Sequence, residues 1–322
     1  MADAILKIEG LEKFFPIKAG VFKRTVGHVK AVNDVSFDVK EKETFSLVGE
    51  SGCGKSTLGR SILRILEPTG GKVMFEDENI LRFSPEKIRQ LRKDIQLVFQ
   101  DPYSALNPRM TVRQLVSEPL FTHFDLKKKD VDPKVDDILE KVGLPIEHAD
   151  RYPHQFSGGQ RQRISIARAL VLKPKFVVAD EPVSALDVSI QAQILKLLMD
   201  LQEEFNLTYL FISHDLNVVK HISDRVGVMY LGKMMEMTET DSIYEDPLHP
   251  YTQALLSAVP KSDPLETKDR VILQGDVPSP ADPPSGCPFH LRCPKAMDVC
   301  SSVEPEFKEV KPHHLVACHL YE

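Results

Sequence analysis

Residues 44–57 read Thr44-Phe45-Ser46-Leu47-Val48-Gly49-Glu50-Ser51-Gly52-Cys53-Gly54-Lys55-Ser56-Thr57, an apolar run that passes directly into a glycine-rich turn. From Gly49 onward the stretch matches G-x-x-x-x-G-K-[ST]. A strand is expected over Thr44–Val48, and helical spacing follows over Ser56–Leu66, ending at Glu67-Pro68-Thr69-Gly70-Gly71. The order strand, glycine turn, helix is what a phosphate-binding loop requires. Glycines let the backbone curl so that successive N–H groups aim at phosphate oxygens. The helix N-terminus adds its positive end. Lys55 then reaches the β- and γ-phosphates, and the Ser56 hydroxyl is placed to coordinate Mg²⁺.

Outward from the loop, strands and helices alternate. Strands are expected over Ile5–Leu11, Val29–Val39, Ile95–Phe99, Phe176–Ala179, Leu207–Ser213 and a pair near Arg225–Met237, with a helix over Ile190–Glu204. Such alternation implies an α/β fold with a largely parallel sheet covered on both faces. From about residue 105 to 172 the spacing is mainly helical, so this stretch reads as an insertion into the layer. Phe176-Val177-Val178-Ala179-Asp180-Glu181 buries a strand and delivers two acids at its carboxyl end, where open α/β sheets bind ligands. Asp180 is the expected Mg²⁺ partner, and Glu181 is placed to polarise an attacking water as general base.

Composition narrows the class. A net charge of −6 argues against nucleic-acid binding, which rests on neutralising phosphates. No stretch approaches the roughly 18 unbroken apolar residues that span a bilayer, and the N-terminus lacks a signal-peptide layout. A cytosolic chain is therefore expected, meeting a membrane only through partners.

Ser157-Gly158-Gly159-Gln160, preceded by Phe156 and followed by Arg161-Gln162-Arg163, resembles the signature of ABC ATPases. By itself it is also a helix start, with Ser157 as N-cap. The resemblance implies that this helix N-terminus binds the γ-phosphate of ATP held by an opposite subunit, with Asp187 of Ser184-Ala185-Leu186-Asp187 lining the same interface. It further implies that Gln100 senses Mg²⁺ and the attacking water, that His214 contacts the γ-phosphate, and that Phe15 stacks on adenine. Phe14 and Phe22 are the other aromatic candidates. The likeness covers about residues 5 to 260, and its motifs fall in the family's order.

Within that family, Gln100-Asp101-Pro102-Tyr103-Ser104-Ala105-Leu106-Asn107-Pro108-Arg109, Tyr152-Pro153-His154-Gln155-Phe156 and His249-Pro250-Tyr251-Thr252-Gln253 are similar to segments of oligopeptide and dipeptide importer ATPases. Gln96-Leu97-Val98-Phe99-Gln100 with Asn107-Pro108-Arg109-Met110 looks more like the second ATPase of such a pair. The implied partners are two membrane-spanning permease subunits, a second and non-identical ATPase, and indirectly a substrate-binding protein. Related importers carry nickel or sugars, and soluble relatives serve translation or DNA repair. The chain has neither the paired ATPase domains nor the long coiled coil of those soluble types.

Beyond residue 260 prolines accumulate, which excludes long helices. Two regions are expected: residues 1–260, an ABC nucleotide-binding domain with antiparallel N-terminal strands, and 261–322, a small irregular module. The latter carries Cys287, Cys293, Cys300 and Cys318. Crowded thiols in a reducing compartment point to metal more than to disulfides, and four thiolates suit Zn²⁺ or an iron–sulfur cluster. Gly286-Cys287 and Cys293-Pro294 resemble the tails of peptide-importer ATPases thought to bind a [4Fe–4S] cluster. His290, His313, His314 and His319 are alternative or supporting groups. Buried free cysteines in proline-shaped loops are the competing reading.

Overall fold

The computed structural model describes residues 4–20, 22–259 and 271–322; the boundary expected at 260 lies outside them. Two sheets sandwich the helix that follows the phosphate-binding loop. The smaller is antiparallel, in the order β2-β1-β4-β5, from β1 (Ala4–Ala19), β2 (Arg24–Lys40), β4 (Gly70–Phe75) and β5 (Glu78–Asn79). The larger has the order β11-β12-β10-β9-β3-β8-β7-β6. It comprises β3 (Thr44–Val48), β6 (Ile95–Val98), β7 (Phe176–Asp180), β8 (Thr208–Ile212), β9 (Arg225–Tyr230), β10 (Lys233–Glu239), β11 (Phe307–Lys311) and β12 (His314–Ala317). The five strands from β9 to β6 are parallel, and the β9–β10–β12–β11 edge is antiparallel.

The helices are α1 (Lys55–Ile62), α2 (Pro85–Leu91), α3 (Pro102–Ala105), α4 (Val112–His123), α5 (Lys128–Lys141), α6 (Gly158–Leu170), α7 (Val188–Phe205), α8 (Leu216–Ile222), α9 (Thr240–Glu245) and α10 (Pro250–Ser257). Strands β3, β7 and β8 are buried along their whole length, which is why they read as unbroken apolar runs rather than alternating ones. One apolar cluster joins α4 to α7 under β7 and β8. A second joins α1 to the antiparallel sheet. A third joins β9, β10, α8 and α10 to Cys287, Phe289 and Cys300 of the tail.

Three departures from the sequence reading have local causes. Helix α1 stops at Ile62 instead of Leu66: Arg64 turns to a φ of 49° and its guanidinium bonds the carbonyls of Ile80 and Phe83. Strand β1 runs past Leu11 to Ala19 because it stays paired with β2 through Ala19↔Arg24, where alternation has already faded. The tail, expected to be irregular, contributes a hairpin. Pro305 and Pro312 bracket β11, His313 turns the chain at a φ of 59°, and β12 pairs with β10 through Glu236↔Val316 and Met237↔Leu315. The tail thus extends the main sheet.

Candidate nucleotide site

The glycine turn closes over the carboxyl end of β3. Gly54 is the N-cap of α1 with a φ of 107°, and a Cβ there would lie 2.0 Å from the Ala31 carbonyl oxygen. Gly49, at a φ of 150°, would place a Cβ 2.2 Å from the Met229 carbonyl oxygen. Only glycine lets the loop pass so close to the β2 and β9 backbones. The loop borders a cleft of about 660 Å³ lined by Gly49, Glu50, Ser51, Gly52, Gly54, Lys55, Ser56 and Thr57, with Gln100, Glu181 and His214 facing them.

At the phosphate end the groups are already engaged with one another. Buried Lys55 donates through Nζ to the carbonyls of Gly49 (2.7 Å) and Glu50 (3.1 Å). Cys53 is buried behind the loop, where desolvation pushes its thiol up from its ordinary value. Ser56 Oγ donates to Asp180 Oδ1 at 2.6 Å, and Asp180 Oδ2 meets Arg60 at 3.3 Å. Opposite them, Gln100 Nε2 donates to Glu181 Oε2 at 2.8 Å, and His214 Nδ1 stands 3.2 Å from the same oxygen. Glu181 adopts a left-handed φ of 47°, a strained backbone for a residue with a side chain. Its N–H is fixed to the Ile212 carbonyl at 3.0 Å. Glu181 therefore sits rigidly between two polar neighbours on separate strand ends.

The other expected residues are elsewhere. Ser157 caps α6 reciprocally: its Oγ accepts from the Gln160 N–H, and Gln160 Oε1 accepts from the Ser157 N–H. Ser157, Gly158 and Asp187 are exposed, and none of the Ser157–Gln160 segment or Asp187 lines this chain's cleft. Phe15 pairs across the β1–β2 ladder with Val29, so the two share a sheet face. Val29 lines the cleft; Phe15 does not, and Lys13 Nζ stands 5.0 Å from its ring centre.

Comparison with known proteins fits this geometry. Residues 32–184 match the ABC transporter family model, and residues 235–300 match that of the oligopeptide/dipeptide transporter C-terminal region. The oligopeptide transport ATP-binding protein AppF of Bacillus subtilis is 58% identical over 322 residues, covering 99% of this chain and 98% of that one. The chain belongs to the ABC transporter family of ATP-binding subunits. A probable peptide ABC transporter ATP-binding protein of Sinorhizobium fredii is 52% identical, covering 99% of this chain and 91% of that one. Among solved structures, cbiO1 of Clostridium perfringens aligns with a TM-score of 0.65 at 31% identity, over 76% of this chain and 92% of that one. The ATP-binding cassette MJ0796, a dimer bound to ADP and phosphate, aligns at 0.65 and 29% identity, over 73% and 98%. The chain is an ABC-type ATPase.

Several residues of this ABC subunit's cleft escaped sequence reading. Val29, Ala31, Leu255 and Pro280 line it, and the Pro280 carbonyl accepts the Lys30 N–H at 3.0 Å. Nothing in local spacing marks them, because they converge from β2, α10 and the tail. Glu50 is bound from the tail as well: Arg292 Nη1 and Nη2 donate to its two carboxylate oxygens at 2.7 and 3.1 Å. That pairing holds the Arg292 guanidinium above its usual basicity.

In the tail, Cys287 and Cys300 are buried while Cys293 and Cys318 are partly exposed, and all four are free thiols. Burial, with the neighbouring cysteines adding to it, pushes Cys287 up to about 12. The Lys295 N–H points at Cys293 Sγ and the Met297 N–H at Cys300 Sγ, each at 3.4 Å. Among the described residues no group of three His, Cys, Asp or Glu stands close enough to hold a metal. Three of the histidines have other partners: His290 the Cys287 carbonyl, His314 the buried Glu236, and His319 Glu322 and the Val303 carbonyl. No helix among the described residues is long and apolar enough to cross a membrane.

Proposed function

We propose that the chain hydrolyses ATP as one half of a head-to-tail ATPase pair that energises peptide import from the cytoplasmic face of a membrane. The observation that carries this is the Gln100–Glu181–His214 cluster facing Lys55 and Ser56 across one cleft, with buried Asp180 bonded behind Ser56, while Ser157 and Gly158 at the α6 start are left exposed. Glu181 is the base for the attacking water, and Gln100 and His214 hold its carboxylate in place. Lys55 exchanges the loop carbonyls for phosphate oxygens when nucleotide enters. Ser56, Asp180 and Gln100 are the residues that would hold Mg²⁺, which neutralises phosphate charge when bound. The N-terminus of α6 offers free N–H groups and its dipole to the ATP of the opposing subunit, with Asp187 beside it.

Peptide cargo rests on the likeness to AppF and to the peptide transporters' C-terminal region. The same likeness supports two permease subunits, a second, non-identical ATPase and an external substrate-binding protein as partners. Coupling to the permeases runs from Gln100 through α3, whose Tyr103 ring lies 5.3 Å from the Arg161 guanidinium of α6 and whose Ala105 carbonyl accepts from Arg168 at 3.0 Å. A change at the γ-phosphate is thereby passed to the helical region. Glu181→Gln in the assembled transporter should bind ATP normally and turn over about 10²–10⁴-fold more slowly. Turnover within a few-fold of wild type would remove Glu181 as the base.

For the tail we propose a [4Fe–4S] cluster, with Zn²⁺ as the alternative, on Cys287, Cys293, Cys300 and Cys318. The donor set and the amide N–H groups aimed at two of the sulfurs support it. Holding the group requires the four sulfurs to draw together. Metal and sulfide analysis of anaerobically purified protein decides it: iron with acid-labile sulfide, zinc alone, or neither, the last of which removes the proposal.

A further inference from the structure

Glu50 is an acid in a loop built for a polyanion. The residue borders the phosphate cleft and its side chain is 28% exposed, so an unpaired charge there would oppose ATP. The tail places a guanidinium against it. Arg292 ends a short turn, His290–Arg292, between Cys287 and Cys293, and its side chain is only 9% exposed. Both carboxylate oxygens are taken in a two-pronged pairing, the geometry in which arginine binds carboxylates most tightly. Tyr230 Oη stands 3.5 Å from Nη1, while Nε is buried with no partner among the described residues. The fold thus holds this cation in place at the cost of an unsatisfied donor. It is fixed there by Phe289, fully buried three residues earlier, whose ring packs against Tyr230, Tyr251 and His249. Tyr251 also reaches the loop, since its hydroxyl accepts the Glu50 N–H at 2.9 Å. Side chain and backbone of Glu50 are therefore both held from the C-terminal part of the chain, more than 200 residues away in sequence.

We propose that Arg292 is a positioning residue for ATP binding, which neutralises Glu50 and fixes the phosphate-binding loop, making loop affinity depend on the tail. This rests on the reading of the loop as the ATP site. Removing one partner of a shielded ion pair leaves the other charge uncompensated, and here that charge would sit beside the incoming phosphates.

The test is calorimetric titration of the full-length chain with a magnesium–nonhydrolysable ATP analogue. Arg292→Met should weaken binding by about tenfold, the scale of one uncompensated charge near the phosphates. Arg292→Lys, which keeps the charge but loses the two-pronged geometry, should bind between wild type and Arg292→Met, and Arg292→Met combined with Glu50→Gln should stay within about threefold of wild type. A purely structural role predicts instead that the second substitution weakens binding further. Undiminished binding by Arg292→Met overturns the proposal, as does a double variant no better than Arg292→Met. If Arg292→Met does not fold, Arg292→Gln takes its place, and undiminished binding by that variant overturns the proposal alike. A wild-type chain that binds no nucleotide overturns the ATP reading and this proposal together.

Discussion

The phosphate-binding loop and the cysteine-bearing tail meet at Glu50 and Arg292, yet each is held by different means. The loop's shape is backbone-determined: left-handed glycines at 49 and 54, the start of α1, and carbonyls drawn in by Lys55. The tail's described part has little regular structure beyond the β11–β12 hairpin, and it is held by what it inserts into the rest of the molecule. Phe289 enters the aromatic cluster of Tyr230 and Tyr251, β12 adds to β10, and His314 bonds buried Glu236. Damage to the loop should therefore appear in nucleotide binding, and damage to the tail, Arg292 apart, in stability first.

The largest effect is expected on the loop side. Gly54→Ala adds a Cβ where a backbone oxygen lies 2.0 Å away and forces an L side chain to a φ of 107°. Nucleotide affinity should fall about a thousandfold or more, while thermal unfolding of the tail-bearing edge changes little. Retention of near-normal affinity would mean that the loop relaxes, and would break the contrast.

Phe289→Ala is the counterpart in the tail. Its ring is fully buried among three other rings, and removing it should cost about 3–5 kcal/mol of stability. Hydrogen exchange would sharpen the comparison: protection should be lost first in β11 and β12, with β3 and β7 retained. Uniform loss over the whole sheet would show instead that tail and core unfold as one unit.

This division also explains how much the sequence discloses. Gly49–Thr57, Phe176–Glu181 and Ser157–Gln160 are contiguous, and each needs fixed residue types at fixed spacing for a local geometric reason, so they are readable without a structure. Gln100 and His214 are single residues at strand ends and become interpretable only through the order of those motifs. Arg292, Pro280 and Leu255 carry no local signal: Leu255 and Pro280 reach the cleft from α10 and the tail, and Arg292 reaches Glu50 from the tail, so only the folded chain brings them together. The expectation of an irregular tail followed from its prolines, yet Pro305 and Pro312 flank β11 without interrupting it. The four cysteines were legible as a group, but spacing says nothing of how closely their sulfurs approach.

The smallest expected effect concerns the seam between the two regions and acidic pH. His249, the N-cap of α10, is wholly buried; its Nδ1 accepts the Tyr251 N–H at 3.0 Å. Burial depresses its pKa to about 4 from the usual 6.5, against the opposing pull of Glu236 and the Ala317 carbonyl. The folded chain therefore prefers the neutral ring, and the unfolded chain takes up the proton first as pH falls. The contribution is full above pH 6.5, declines between pH 6.5 and 4, and reaches about 3 kcal/mol in all, since each unit is worth about 1.4 kcal/mol. His249→Asn keeps a side-chain acceptor at the helix start but has no ring to protonate. Denaturant unfolding at several pH values should show wild type losing stability more steeply than His249→Asn across that window, with the two curves parallel above pH 7. Because His249 ties α10 to β12, exchange in β12 should rise with that loss while the α1 amides beyond the loop stay protected. Parallel curves down to pH 4 would mean that His249 is protonated without penalty in the folded chain, and the seam would then owe its strength to Phe289 and the β10–β12 pairing alone.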